Sequence, residues 1–171
     1  MVTVGEPLPS FELLDLEGHP HFSPDYLGKI LLTYIWSARC PVCQRADEVL
    51  FSRKREWPRE VVVLAIASNA DESQEEIQNE ARAREIETVL LDPGARIAEL
   101  YGADLTPFFF LSDPKGILRY RGALDDLTFR QRVPHINYVD RAIAAVLEGK
   151  RPDPSETPGY GCTLVRFASG S

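Results

Sequence analysis

Two cysteines, in the segment Cys40-Pro41-Val42-Cys43, are the residues of this sequence best suited to chemistry. They follow an apolar run and precede a stretch with helical spacing, which predicts that Cys40 lies at the N-terminal edge of a helix. Unpaired backbone N–H groups and the helix dipole favour a negative charge at that place. Pro41 suits the first helical position because its missing N–H would have had no partner there. The pattern predicts a thiolate nucleophile at Cys40.

The spacing of the two cysteines predicts a redox pair. Side chains three residues apart on a helix are neighbours, so the two sulfur atoms could close into a disulfide with little backbone movement. We therefore predict that Cys40 attacks and that Cys43 is the resolving thiol. Arg39 and Arg45 are close in sequence and are expected to add positive potential.

A metal site is the alternative for the same two cysteines, because thiolates at this spacing also bind zinc. A tetrahedral site needs two further ligands. The remaining candidates are single and scattered: Cys162, His19, His21 and His135. Their arrangement favours redox chemistry, and the sequence predicts no metal and no cofactor.

Thr106-Pro107, directly before the apolar run 108–111, is the second chemical clue. Proline has no N–H and fits poorly into a buried strand ladder. A cis Thr106–Pro107 bond would resolve this difficulty and leave the Thr106 backbone able to pair with a substrate strand. A trans proline that simply begins a strand is the other alternative.

Four apolar runs predict the strands that must position these residues. Continuous runs rich in Val, Ile and Phe are typical of strands buried on both faces of a sheet. The runs are 30–36, 61–67, 89–91 and 108–111. The turn Asp113-Pro114-Lys115-Gly116 predicts that 108–111 and 117–121 form an antiparallel hairpin, so the sheet is mixed.

The segments between the runs predict helices that cover the sheet. A first helix follows Cys40 and ends near Pro58, and a closing helix has its apolar stripe between Ile136 and Leu147. A very polar helical stretch, 72–86, and a short third one, 95–101, are both expected to lie against solvent. The strand–helix–strand order implies a parallel pair with a right-handed crossover. The sequence thus predicts an α/β fold with a mixed central sheet flanked by helices.

The chain is predicted to form one domain over residues 1–150, with an N-terminal hairpin at 11–22, and a Pro- and Gly-rich tail over 151–171. The tail contains Cys162. Its apolar residues Leu164, Val165 and Phe167 predict that it docks on the domain.

Charge and hydropathy exclude several partners. The chain has 26 acidic and 19 basic residues and a formal net charge of −7, which repels nucleic acid and anionic membranes. Its N-terminus has no basic stretch followed by an apolar one, so we predict a cytoplasmic protein without membrane association. A leader removed from the natural protein would instead place it in the periplasm or elsewhere outside the cytoplasm. The sequence predicts no oligomeric state.

Three segments together resemble the thioredoxin superfamily: 36–43 with its two cysteines, 106–111 with its proline, and 113–116 with its turn. The closer likeness, over about Val4 to Lys150, is to TlpA-like and redoxin proteins of the AhpC/TSA type. The resemblance implies a thioredoxin-like three-layer fold with an N-terminal hairpin and a strand–helix insertion before the proline. It also implies that Cys40 attacks, Cys43 resolves, Trp36 packs beside them and a cis Pro107 faces the disulfide.

The sequence departs from the thioredoxin pattern in its proton acceptor. Thioredoxin has a buried acid six residues before its first cysteine, where this chain has Tyr34. Asp47, one helical turn after Cys43, is one substitute, although a solvated surface charge is the simpler expectation for it. Cys162 resembles a Gly-Cys element of one redoxin subgroup, and its role as a third redox thiol, a surface thiol or a small buried residue stays open.

The functional prediction is a thiol-disulfide oxidoreductase that acts on protein disulfides and is recharged by an upstream thiol reductant. A thiol peroxidase is one alternative, because Ser37-Ala38-Arg39-Cys40 matches part of a peroxiredoxin motif, although Thr33 stands where that motif has proline. A copper or zinc carrier built on the same fold is the other alternative.

Overall fold

The computed structural model describes residues 2–166. Within them, the chain forms nine strands and four α-helices, and each of the four predicted apolar runs lies in one of these strands. The strands and helices are β1 (Glu12–Asp15), β2 (Pro20–Phe22), β3 (Ile30–Trp36), α1 (Pro41–Lys54), β4 (Val61–Ala67), α2 (Gln74–Ala83), β5 (Val89–Leu91), α3 (Arg96–Tyr101), β6 (Leu105–Thr106), β7 (Phe108–Ser112), β8 (Leu118–Gly122), α4 (Tyr138–Leu147) and β9 (Cys162–Thr163). The tail residue Phe167 lies outside the described residues.

Seven strands form one mixed sheet with the order β2-β1-β5-β4-β3-β7-β8. β3 is parallel to β4, with Trp36 opposite Ala67, and β4 is parallel to β5. β3 pairs with β7 in antiparallel fashion, as do β7 with β8 and β1 with β2. The predicted mixed sheet, N-terminal hairpin and thioredoxin-like three-layer fold are confirmed.

The sheet separates two apolar cores, because successive side chains of a strand point to opposite faces. On β3, Leu32, Tyr34 and Trp36 face one core, which also contains buried residues of α1, α2 and α4. Leu31 and Ile35 face the other core, which contains residues of α3. All seven residues of β3 are buried, as the continuous apolar run requires.

The expectation that α2 and α3 lie against solvent is wrong for their inner faces. Ile77 and Ala81 of α2 and Ile97 and Tyr101 of α3 are buried against the sheet. α2 is polar overall and α3 has only six residues, so neither shows a clear apolar stripe in the sequence. The short inner stripes are enough to seat each helix on the sheet.

The segment after α4 runs back along β8, the outermost strand of the sheet. The Arg121 N–H donates to the Ser155 carbonyl at 3.1 Å, and the Thr157 N–H donates to the Arg121 carbonyl at 3.1 Å. The chain then crosses to β6, where β9 forms a two-stranded antiparallel sheet. Leu164, immediately beyond, is 5% exposed and belongs to the second core. This path brings Cys162 to the start of α1.

Candidate active site

Cys40 lies where β3 ends and α1 begins. It is the N-cap residue of α1, Pro41 occupies the first turn, and no side chain caps the helix. The Cys40 sulfur is bonded to the sulfur of Cys162, which is 122 residues away, with the two Cα atoms 6.1 Å apart. Closure onto Cys43 was the pairing predicted from local spacing. In the structure the helix N-terminus holds a different disulfide.

Cys43, one turn into α1, is the free cysteine among the described residues, and its side chain is inaccessible to solvent. Burial raises the pKa of the Cys43 thiol from 9.0 to about 12. The Ser37 backbone and the Thr106 hydroxyl act in the opposite direction by favouring the thiolate, whereas the charge of Asp47 adds to the increase. At neutral pH, Cys43 is therefore a protonated thiol.

The loop before β7 lies opposite Cys40. The Thr106–Pro107 bond is cis, one of the two alternatives predicted. The Thr106 carbonyl oxygen lies 3.3 Å from the Cys40 sulfur. The Thr106 backbone was expected to be open to a substrate strand, but it is paired with Cys162 across the β6–β9 ladder. The tail therefore occupies the edge that this prediction assigned to substrate.

Asp47, one turn after Cys43 on α1, is buried with 1% of its surface exposed, so the expectation of a solvated surface charge is wrong. Its carboxylate accepts hydrogen bonds from the Tyr34 hydroxyl at 2.7 Å and from the Trp36 indole N–H at 2.8 Å. The Arg84 guanidinium lies 3.1 Å away. Burial raises the Asp47 pKa, and these three donors counteract the rise. Tyr34 stands where thioredoxin has an acid, and its hydroxyl donates a hydrogen bond to an acid on α1, Asp47.

Arg84 supplies the positive charge that was expected from Arg39 and Arg45. Arg39 pairs with Glu76 at 2.8 Å, and Arg45 pairs with Asp125 at 2.5 Å, so acidic partners neutralise both. The Arg84 guanidinium instead lies under the site and favours the thiolate of Cys43.

Arg84 also fixes the segment that leads into Cys40. Its guanidinium donates to the carbonyl oxygens of Ser37 and Ala38 and lies 5.2 Å from the centre of the Trp36 ring. Neighbouring sequence gave no signal for this residue, because it lies 44 positions after Cys40 and reaches the site only through the packing of α2.

Glu72 is a second site residue that sequence reasoning missed. Its carboxylate accepts from the Ser37 hydroxyl and from the backbone N–H groups of Ala38, at 2.9 Å, and Arg39, at 3.4 Å. It thus holds the loop between β3 and α1. A usable signal existed, since Glu72 follows the end of β4 as Cys40 follows β3, and parallel neighbours end at the same edge of a sheet.

The histidines considered as metal ligands lie apart from the cysteines. His21 contacts Asp15 at 2.9 Å and the Tyr26 hydroxyl at 2.7 Å, and His135 is exposed. Across residues 2–166, no three His, Cys, Asp or Glu side chains converge as metal ligands would. Over the same range, no helix is both long and apolar enough to cross a bilayer.

These features define a protein of the thioredoxin fold with a cysteine at the N-terminus of α1 facing a cis-proline loop. A profile of the AhpC/TSA family matches residues 4–121, more than half of the sequence. The chain belongs to the AhpC/TSA family. The predicted assignment to the redoxins of the thioredoxin superfamily is confirmed.

Individual relatives agree with this assignment. The chain is 28% identical over 114 residues to the thiol-disulfide oxidoreductase ResA of Bacillus thuringiensis, a match that covers 66% of this chain and 65% of the relative. The chain thus spans about two-thirds of the length of that curated protein.

Solved structures extend the likeness over nearly the whole chain. A hypothetical protein from Sinorhizobium meliloti superimposes with a TM-score of 0.84 and 27% identity, covering 99% of this chain and 97% of that one. The thioredoxin domain of a thiol-disulfide oxidoreductase from Bacteroides vulgatus gives a TM-score of 0.65 at 17% identity, covering 87% and 98%, and shares the fold.

Proposed function

We propose that this protein is a thiol-disulfide oxidoreductase in which the Cys40 sulfur exchanges bonds with substrate cysteines and Cys43 is the resolving thiol. One observation carries the proposal: the Cys40 sulfur, which lies at the N-terminus of α1 and close to the Thr106 carbonyl, already forms a disulfide with another cysteine. The name of the Bacillus thuringiensis relative supports the same activity.

The reaction would begin with reduced cysteines. The Cys40 thiolate, favoured by the N-terminal end of α1, attacks one sulfur of a substrate disulfide and expels the other as a thiolate. Cys43 then gives up its proton and attacks the Cys40 sulfur, which releases the second substrate thiolate and leaves a Cys40–Cys43 disulfide. Two electrons pass to the substrate, and an upstream thiol reductant would restore the protein.

The surrounding residues have separate tasks in this scheme. Glu72 and Arg84 position the loop that presents Cys40, and Arg84 favours the Cys43 thiolate. Asp47 lies close enough to raise the pKa of Cys43, but its carboxylate oxygens are already used by Tyr34, Trp36 and Arg84. In a reducing compartment, as the cytoplasmic prediction implies, the working direction is reduction of the substrate.

The peroxidase alternative has weaker support at the same residues. Its motif would use the Ser37 hydroxyl beside the reactive sulfur, but this hydroxyl donates to Glu72. Thr33, at the proline position of that motif, is buried within β3.

The test is a trap for the mixed disulfide in the full-length chain. Cys43→Ser combined with Cys162→Ser removes both thiols that could release a substrate, so insulin, a defined protein disulfide, should stay bonded to Cys40 and be detected by mass spectrometry. The matched control adds Cys40→Ser to this double variant, which then has no cysteine and should trap nothing. Absence of an adduct, together with no acceleration of insulin reduction by the unaltered protein, would refute the proposal. Faster consumption of Cys40 by hydrogen peroxide than by insulin would favour a peroxidase.

A further inference from the structure

The tail segment 160–164 lies against the cis-proline loop as an added strand. Thr163 is opposite Leu105, Cys162 is opposite Thr106, and the Leu164 N–H donates to the Asp104 carbonyl at 2.9 Å. Main-chain pairing of this kind is how extended peptides bind to an open strand edge. The tail thus presents its cysteine to Cys40 in the geometry of a bound peptide.

A glycine is required directly before the cysteine of this strand. A Cβ atom at Gly161 would collide with the Thr106 carbonyl oxygen and lie 3.1 Å from Pro107 Cδ. Both neighbours belong to the loop that faces Cys40, so neither can withdraw as the end of a flexible side chain could. Two positions earlier, a Cβ at Gly159 would lie 2.8 Å from the Phe108 ring. The groove therefore admits a cysteine only when a residue without a side chain precedes it.

The groove constrains the two residues after the cysteine in a different way. Thr163 is exposed, whereas Leu164 is buried in the second core. This alternation is that of a strand with one face against the protein. The groove thus accepts Gly-Cys, then any residue, then an apolar residue.

We propose that this groove is the substrate site, that it selects extended segments of the form Gly-Cys-x-apolar, and that the tail is a tethered copy of such a segment. The inference rests on the proposed function and adds its substrate class. In the oxidised state, the Cys43 thiolate attacks the Cys40 sulfur and expels Cys162 as a thiolate, which takes up the proton that Cys43 lost. One disulfide replaces another without an external oxidant, and the tail can then leave the groove to substrate.

Peptide disulfides test the selectivity directly. The protein is the full-length Cys43→Ser/Cys162→Ser variant, whose remaining cysteine is Cys40. The probe is a peptide with the sequence Tyr-Gly-Cys-Thr-Leu, its cysteine carrying a thionitrobenzoate group, and release of that group is followed by absorbance. Replacing the peptide glycine with alanine should slow release at least about tenfold, the penalty expected for a methyl group forced into a packed contact. Equal rates for the two peptides would overturn the inference.

A second comparison tests whether the tail competes for the groove. Gly161→Ala in the same background should loosen the tail and speed the reaction with the glycine peptide severalfold. Thr163→Ala, an exposed position on the same strand, is the matched control and should leave the rate unchanged. Identical rates in the two variants would also overturn the inference.

Dithionitrobenzoate alone, without a peptide, separates the inference from the function on which it rests. If Cys40 reacts with this reagent while the two peptides do not differ, the selectivity fails and the oxidoreductase proposal survives. If Cys40 reacts with neither the reagent nor the peptides, the proposed function fails.

Discussion

The buried thiol of Cys43 makes the resolving step steeply dependent on pH. With its pKa raised from 9.0 to about 12, about one Cys43 in 100,000 is a thiolate at pH 7, roughly 1,000-fold fewer than for the ordinary thiol. A thiolate of higher pKa is intrinsically more nucleophilic, and this raises the rate of attack per thiolate by a factor of about 30. The net expectation is a step about 30-fold slower at pH 7 than an unburied thiol in the same position would give.

The assay isolates this step in the full-length Cys162→Ser variant. Cys40 is first converted to a mixed disulfide with thionitrobenzoate, and its release by Cys43 is then followed by absorbance. The logarithm of the rate should rise by about one for each pH unit between about pH 6 and about pH 10, because only the thiolate attacks.

The same variant with Cys43→Ser should keep its label at every pH, which shows that Cys43 causes the release. A rate that levels off below the ordinary thiol pKa of 9.0 would refute this prediction, because it would show that burial does not raise the pKa of Cys43.

Three further predictions follow from the buried charges and hydroxyls. Asp47→Asn should speed the release of label by Cys43 severalfold at fixed pH, because the Asp47 charge raises the Cys43 pKa; a slower release would identify Asp47 as the proton acceptor. Arg84→Met should lower the free energy of unfolding in urea by about 3 to 5 kcal/mol, since it leaves Asp47 buried without its ion pair, whereas exposed Arg82→Met should change it by less than about 0.5 kcal/mol. Burial raises the pKa of Tyr101 above 10.0, so the contribution of this residue to stability is complete below about pH 10 and declines as pH rises further. Tyr101 should therefore form tyrosinate, measured by absorbance, only as the protein loses its circular dichroism. Tyrosinate at Tyr101 in the still folded protein would contradict this prediction.

Much of the fold could be predicted because its signals are local. The apolar run 30–36 specified a strand buried on both faces whatever its neighbours were, and the structure buries every residue of it. Cys40 before Pro41 placed the cysteine at a helix N-terminus for the same reason, since a proline in the first turn loses no hydrogen bond. Turn residues at 113–116 likewise specified the β7–β8 hairpin.

The partners of the site residues were decided by tertiary structure. The i, i+3 spacing brought Cys43 near Cys40, but which sulfur bonds Cys40 depends on where the tail crosses the sheet, and the tail brings Cys162 from 122 residues away. Sequence proximity suggested Arg39 as the cation of the site, yet it pairs with Glu76, and packing of α2 places Arg84 there instead.

The physical reason for this division is the range of the interactions. Hydrogen-bonding geometry and the periodicity of apolar side chains act over a few residues, so sequence alone determined the strands of the central sheet, the start of α1 and the position of Cys40 and Cys43, but not the β6–β9 pair. Burial and ion pairing depend on residues that only the folded chain brings together, so the tertiary structure decided the acidity of Cys43, the environment of Asp47 and the occupant of the groove beside Thr106.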